Sequence, residues 1–132
     1  MVTQQGTLLI VEDLLLMRQI IKGFLRRMGY ARILEAEQGV EALTCLRQQP
    51  IDLVLADWDL PQMDGLALLT TIRADAQWRT VPFVMITAEA SRDKVMAAIQ
   101  AGANGYILKP FTRATFEAKV TAIMARLPAS SS

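Results

Sequence analysis

Short apolar runs separated by stretches of helical spacing leave this chain few ways to fold. Four runs stand out: LLIV (8–11), LVLA (53–56), FVMI (83–86) and YIL (106–108), with a weaker one at RILEA (32–36). They are near-continuous rather than alternating, the pattern of strands covered on both faces. Between them the spacing turns helical. Residues 14–28 carry Met17, Ile21, Phe24, Leu25 and Met28 on one face, with Arg18, Lys22 and Arg26 assigned to the opposite, solvent face. Residues 112–127 repeat the scheme with Phe116, Val120, Ile123, Met124 and Leu127, and shorter helices fit 39–48, 65–74 and 91–101. Ser91 and Asp64 are placed as N-caps, with Asp93 in a favoured first turn. Gly29, Gly39, Pro50, Gly65 and Gly102 punctuate the joins. Strand then helix, five times over, predicts an α/β fold: a doubly wound, five-stranded parallel sheet with helices on both faces. One domain is expected over 1–127, followed by a disordered tail, PASSS, at 128–132.

Composition excludes several classes of function. The chain holds no histidine, which removes His-based triads, His-ligated metals and a general-base imidazole. Its one cysteine, Cys45, cannot close an internal disulfide and lies on a helical stretch, where it reads as filler. A formal charge of +1 leaves no footprint for nucleic acid. No apolar run approaches the ~18 residues that span a bilayer, and MVTQQGT lacks a signal pattern, so a cytoplasmic protein without a membrane partner is expected.

Open α/β sheets bind ligands beyond the carboxyl ends of their strands. LLIV is followed by Glu12 and Asp13, LVLA by Asp57, FVMI by Thr87 and YIL by Lys109. Three carboxylates, a hydroxyl and an ammonium should therefore gather on one edge. Close carboxylates repel unless a cation sits among them, and oxygen-only donors favour a hard ion such as Mg²⁺. Such a site suits phosphoryl transfer to a carboxylate, which is ionised at neutral pH and needs no general base. Asp57-Trp58-Asp59 also reads as the D-x-D of a haloacid-dehalogenase-like phosphatase. However, that motif normally follows the first strand, and its metal-binding acids come after the lysine.

The acidic pair of LLIVED, Asp57 in LVLADWDLPQMDG, Thr87 in FVMITAEA and Lys109-Pro110 in AGANGYILKPFT carry a resemblance. The chain resembles the receiver domain of two-component response regulators, most closely the single-domain chemotaxis regulators of CheY type. The resemblance implies a flavodoxin-like (βα)5 fold with strand order 2-1-3-4-5. It implies that Asp57 accepts a phosphoryl group from a phosphohistidine on a separate sensor histidine kinase, with transfer and autodephosphorylation self-catalysed. Asp13 and Asp57 would bind Mg²⁺ directly, Asp59 through its backbone carbonyl and Glu12 indirectly. Lys109 would pair with the phosphoryl group, and the Lys109–Pro110 bond would be cis. Thr87 would move toward the phosphoryl oxygens, letting Tyr106 rotate inward. Asp59 and Glu89 stand where relatives tune the lifetime of the phosphorylated state, and Leu14 replaces a common aromatic. The implied output face offers Ala90, Lys94, Tyr106, Arg113 and Lys119 as exposed contacts. Its partner would be a flagellar switch or another effector, with a phosphatase as a further candidate and the chain itself a monomer. A phosphorelay intermediate or a kinase regulator would share the same fold and acceptor.

Overall fold

The computed structural model describes residues 4–126, so the expected tail at 128–132 lies outside the described residues. Among the described residues ten elements alternate: β1 (Gln4–Val11), α1 (Leu15–Arg27), β2 (Tyr30–Ala36), α2 (Gly39–Gln48), β3 (Leu53–Ala56), α3 (Gly65–Ala74), β4 (Phe83–Thr87), α4 (Arg92–Gln100), β5 (Gly105–Leu108) and α5 (Arg113–Arg126). The strands are all parallel, in the order β2-β1-β3-β4-β5. The order reverses between β1 and β3, and that is where such a sheet opens a crevice.

The apolar runs are continuous because each sheet face has its own helices. Leu8, Ile10, Leu53, Leu55, Val84 and Ile86 point to the side where Ile21 and Leu25 of α1 and Phe116, Val120 and Ile123 of α5 pack. Leu9, Val11, Val54, Ala56, Phe83 and Met85 point the other way, against Ala42 and Leu46 of α2, Leu68, Leu69 and Ile72 of α3, and Ala98 of α4. Successive strand residues alternate sides, so both must be apolar. Among the described residues no helix is long and apolar enough to cross a membrane.

Two strands run further than the hydropathy shows. β1 reaches back to Gln4 across a register shift at Gly6, whose φ of +116° suits glycine. β2, at the sheet edge, starts at Tyr30 and is only partly buried. The two expected helix caps form: Asp64 accepts from Ala67 N at 2.8 Å and Ser91 from Lys94 N at 3.2 Å.

Arg18 departs from the expectation of a solvent-facing row. It is 8% exposed and shares the buried side of α1 with Ile21 and Leu25. Its Nε donates to Glu35 Oε1 at 2.9 Å, while Lys22 Nζ donates to Glu35 Oε2 at 2.8 Å. The Lys22 hydrogen bond, aided by Arg18, holds the Glu35 carboxyl below its ordinary 4.5 against the opposing effect of burial. A depressed acid stabilises the fold above its unfolded pKa, and that contribution is lost as pH falls through the folded one. Glu35→Gln should therefore unfold more easily at pH 7, by about 1 kcal/mol. In urea titrations across pH the deficit should close below 4.5.

Candidate functional site

Sheet hydrogen bonding carries on one residue past the strands and sets the site. Glu12 N donates to Ala36 O at 2.9 Å, Asp57 N to Val11 O at 3.0 Å, and Lys109 N to Thr87 O at 2.9 Å. The residues that follow β1, β3 and β5 are thus brought to one edge. Lys109 Nζ lies 2.8 Å from both Glu12 Oε1 and Asp57 Oδ2. Carboxylate oxygens of Glu12, Asp13 and Asp57 lie within 4.8 Å of one another. Glu12 and Asp57 are buried, whereas Asp13 is exposed and faces the opening. A cluster with only oxygen donors suits a hard divalent ion, and the open side at Asp13 leaves room for water in its shell.

The electrostatics follow from this burial. Desolvation pushes the Glu12 carboxyl above 4.5; the Lys109 hydrogen bond opposes the shift and the Asp57 charge adds to it. Burial alone would lower Lys109, but hydrogen bonds and charge from Asp57 and Glu12 outweigh it and raise the ammonium above 10.5. Lys109 is therefore a fixed cation at neutral pH. The second Asp57 oxygen, Oδ1, accepts from Asp59 N at 3.1 Å. Asp59 uses its backbone here while its side chain is exposed, and Asp64 is spent on the α3 cap. The Lys109–Pro110 peptide is cis.

Thr87 and Tyr106 meet on one residue. Thr87, fully buried at the end of β4, accepts from Glu89 N at 3.2 Å through Oγ1. The Tyr106 hydroxyl donates to Glu89 O at 2.6 Å. Tyr106 is half-buried and turned onto the β4–α4 loop rather than left in solvent. Burial and the nearby Glu89, Asp57 and Asp59 charges raise its phenol above 10.0.

The expected output face is mostly as open as the sequence suggests. Ala90, Arg113 and Lys119 are exposed, and Lys119 Nζ donates to Tyr106 O at 3.1 Å. A surface cavity of about 490 Å³ lies there, lined in part by Val95, Tyr106, Leu108, Phe111 and Lys119. Tyr106 and Lys94 are the exceptions, Tyr106 because it is half-buried with its hydroxyl on Glu89 O. Lys94, rather than standing exposed, is half-buried with Nζ 4.6 Å from the centroid of the Trp58 ring. Trp58 follows Asp57 directly and is itself buried, so its indole offers a cation-binding face that the sequence alone did not reveal.

Gly65, a helix boundary in the sequence, also shapes the site. A Cβ there would sit 2.4 Å from Asp57 O and 2.8 Å from Trp58 Cα, both backbone atoms. Glycine lets the start of α3 close on the backbone that follows β3, where Gly65 N donates to Trp58 O at 2.8 Å. Gly65→Ala should destabilise by about 1–3 kcal/mol in urea unfolding and displace the Asp57 backbone. Parent-like stability would show that the approach is not tight.

Comparison with known proteins agrees with this geometry. A family model described as the response regulator receiver domain matches residues 8–121. Chemotaxis protein CheY-3 of Vibrio cholerae is 47% identical over 120 residues, covering 91% of this chain and 92% of that protein. Chemotaxis protein CheY of Pseudomonas aeruginosa is 42% identical over 120 residues, 91% of this chain and 97% of that protein. Among solved structures, the receiver domain of a Pseudomonas aeruginosa sensor histidine kinase superposes with a TM-score of 0.82 at 32% identity, covering 92% of this chain and 99% of that one. That structure contains a magnesium ion coordinated in its active site cleft. With its parallel sheet in the order β2-β1-β3-β4-β5 and its edge of acids and lysine, this chain belongs to the response regulator receiver domain family.

Proposed function

We propose that the chain is a response regulator of the single-domain chemotaxis type, which takes a phosphoryl group onto Asp57 and thereby changes its affinity for a downstream protein. The observation that carries this reading is Lys109 Nζ, 2.8 Å from both Asp57 and Glu12 within a three-carboxylate cluster. A carboxylate oxygen of Asp57 attacks the phosphorus of a phosphohistidine, the phosphorus–nitrogen bond breaks, and the donor imidazole leaves with that electron pair and picks up a proton. The missing histidine then has a simple meaning: it belongs to the kinase. Asp13 and Asp57, with the Asp59 carbonyl and Glu12 behind them, would hold Mg²⁺, which when bound supplies positive charge to the phosphoryl oxygens. Lys109 neutralises a second oxygen and Thr87 hydrogen-bonds a third. Leu14, Leu15 and Leu16, 60%, 57% and 72% exposed at the lip of the pocket, offer the kinase an apolar landing.

The output is coupled through Glu89. Thr87 holds its N–H and Tyr106 holds its carbonyl, so moving Thr87 toward a phosphoryl group releases the segment that Tyr106 grips. The face around Tyr106, Ala90, Arg113 and Lys119 changes with it, with Lys94 following through its contact with Trp58. Its basic rim and apolar cavity suit an amphipathic helix with acidic flanks, such as a flagellar-switch peptide. Asp59 and Glu89 stand beside the acceptor and tune how long the phosphoryl group survives.

The chemotaxis assignment rests on the two chemotaxis relatives at 47% and 42% identity. A receiver attached to a sensor kinase shares the fold at 32% identity, so a relay role is the second reading. Labelled phosphohistidine kinase should pass its label to this chain once per molecule, and an acyl-phosphate mimic should tighten binding to a flagellar-switch peptide. Multiple turnover of small phosphate esters would overturn the receiver reading in favour of a phosphatase. Equal peptide affinity with and without the mimic would favour the relay.

A further inference from the structure

Among the described residues, Arg18 is the buried charged group that the proposed phosphotransfer leaves without a task. Burying a guanidinium is costly, and an apolar side chain of similar volume often serves stability as well or better. What Arg18 touches is informative. Its Nη1 donates to the backbone carbonyl of Glu12 at 2.8 Å while its Nε is held by Glu35 on β2 at 2.9 Å.

Glu12 lies one residue beyond the paired part of β1, whose register ends at Val11 opposite Ala36 and Ala56. Its carbonyl belongs to the peptide plane that joins Glu12 to Asp13. That plane is rigid, so fixing the carbonyl limits where the Asp13 backbone, and with it the Asp13 carboxylate, can go. Glu12 N is tied to Ala36 O at 2.9 Å, and Leu14 N to Glu12 Oε2 at 3.2 Å. Asp13 itself is exposed. With these bonds holding Glu12 and Leu14 on either side, the Arg18 bond to the intervening carbonyl restrains rotation of the Glu12–Asp13 peptide. A planar fork can reach a carboxylate and a carbonyl at once, which a lysine ammonium on a flexible stem does poorly.

We propose that Arg18 is a positioning residue: oriented by Glu35, it locks the Glu12–Asp13 peptide so that the Asp13 carboxylate stays within the acid cluster and the site is preorganised for a divalent cation. The inference rests on the metal-dependent receiver reading. Supporting groups of this kind set metal affinity, with activity following where the ion is needed.

Calorimetric titration of Mg²⁺ into the full chain tests it. Arg18→Met should weaken Mg²⁺ binding by roughly tenfold, the low end of what supporting residues contribute, and Arg18→Lys by about threefold. Lys22→Met removes the other cation on Glu35 without touching the Glu12 carbonyl, and should leave Mg²⁺ affinity within about twofold of the parent. A folded Arg18→Met chain with parent-like Mg²⁺ affinity overturns the proposal and leaves Arg18 a packing residue. If Arg18→Met does not fold, Arg18→Lys decides, and parent-like affinity there overturns it equally. Loss of affinity in Lys22→Met as large as in Arg18→Met also overturns it, because the effect would then be general loosening. A parent chain that binds no Mg²⁺ instead refutes the metal-dependent reading beneath it.

Discussion

Asp57→Asn is expected to take up no phosphoryl group from a labelled histidine kinase or from a small acyl phosphate, while remaining folded. The two oxygens of Asp57 have separate tasks: Oδ2 accepts from Lys109 Nζ at 2.8 Å and Oδ1 from Asp59 N at 3.1 Å. Both neighbours are donors. An asparagine can offer its oxygen to one of them, and its amide hydrogens then face the other. The amide also lacks the nucleophilic carboxylate oxygen, so the loss should be complete rather than graded. The neighbouring acids do not substitute easily. Glu12 is 1% exposed with its oxygens engaged by Lys109 and Leu14 N, and Asp13 lies at the open side of the cluster. Lys109 keeps its bond to Glu12, and removing one of three crowded carboxylates relieves repulsion that offsets part of the cost of the misfacing amide, so urea unfolding should show a loss of only about 1–2 kcal/mol. Label at the parent level in Asp57→Asn would place the acceptor elsewhere and remove the basis of the proposed mechanism.

The architecture was largely legible because buried parallel strands write themselves as apolar runs. The five runs and the residues directly after them located the sheet and the edge where Glu12, Asp13, Asp57 and Lys109 meet. Legibility failed where exposure hides a strand. The first residues of β1 are polar and exposed, and in β2 the buried Tyr30 is followed by the exposed Ala31 and Arg32, so neither start carries an apolar run. It failed again where a charged side chain is buried. Its charge groups Arg18 with Lys22 and Arg26, yet its spacing to Ile21 and Leu25 is that of the buried face. That spacing was readable. The partners on Glu35 and the Glu12 carbonyl were not, because they come from other elements of the fold. Lys94 shows the same limit: it settles over Trp58, a contact between residues far apart in the chain. Gly65 was legible as a boundary, but its second role needs the distance to Asp57 O.

Lys109→Met should lose both phosphoryl transfer and stability. Lys109 Nζ is the cation between Glu12 and Asp57, and the three side chains are 15%, 1% and 7% exposed, so solvent does little screening. Taking one partner from a buried ion pair strands the others, at a cost of about 3 kcal/mol. The variant should therefore unfold earlier in urea at pH 7. Part of that loss should be recoverable in two ways. Burial already raises Glu12 above 4.5, and without Lys109 the shift grows. An acid raised in the folded state binds its proton more tightly there than in the unfolded chain, so stability increases as pH falls toward 4.5. The gap to the parent should narrow over that interval. Mg²⁺ should also stabilise the variant more than the parent, because the ion takes over neutralisation that the lysine no longer provides. Transfer to Asp57 should still fall by about a hundredfold, since Mg²⁺ cannot also replace the separate charge on the second phosphoryl oxygen. A variant as stable as the parent at pH 7 would mean that the three acids tolerate one another without the lysine. A variant phosphorylated at the parent rate would remove Lys109 from the transfer step.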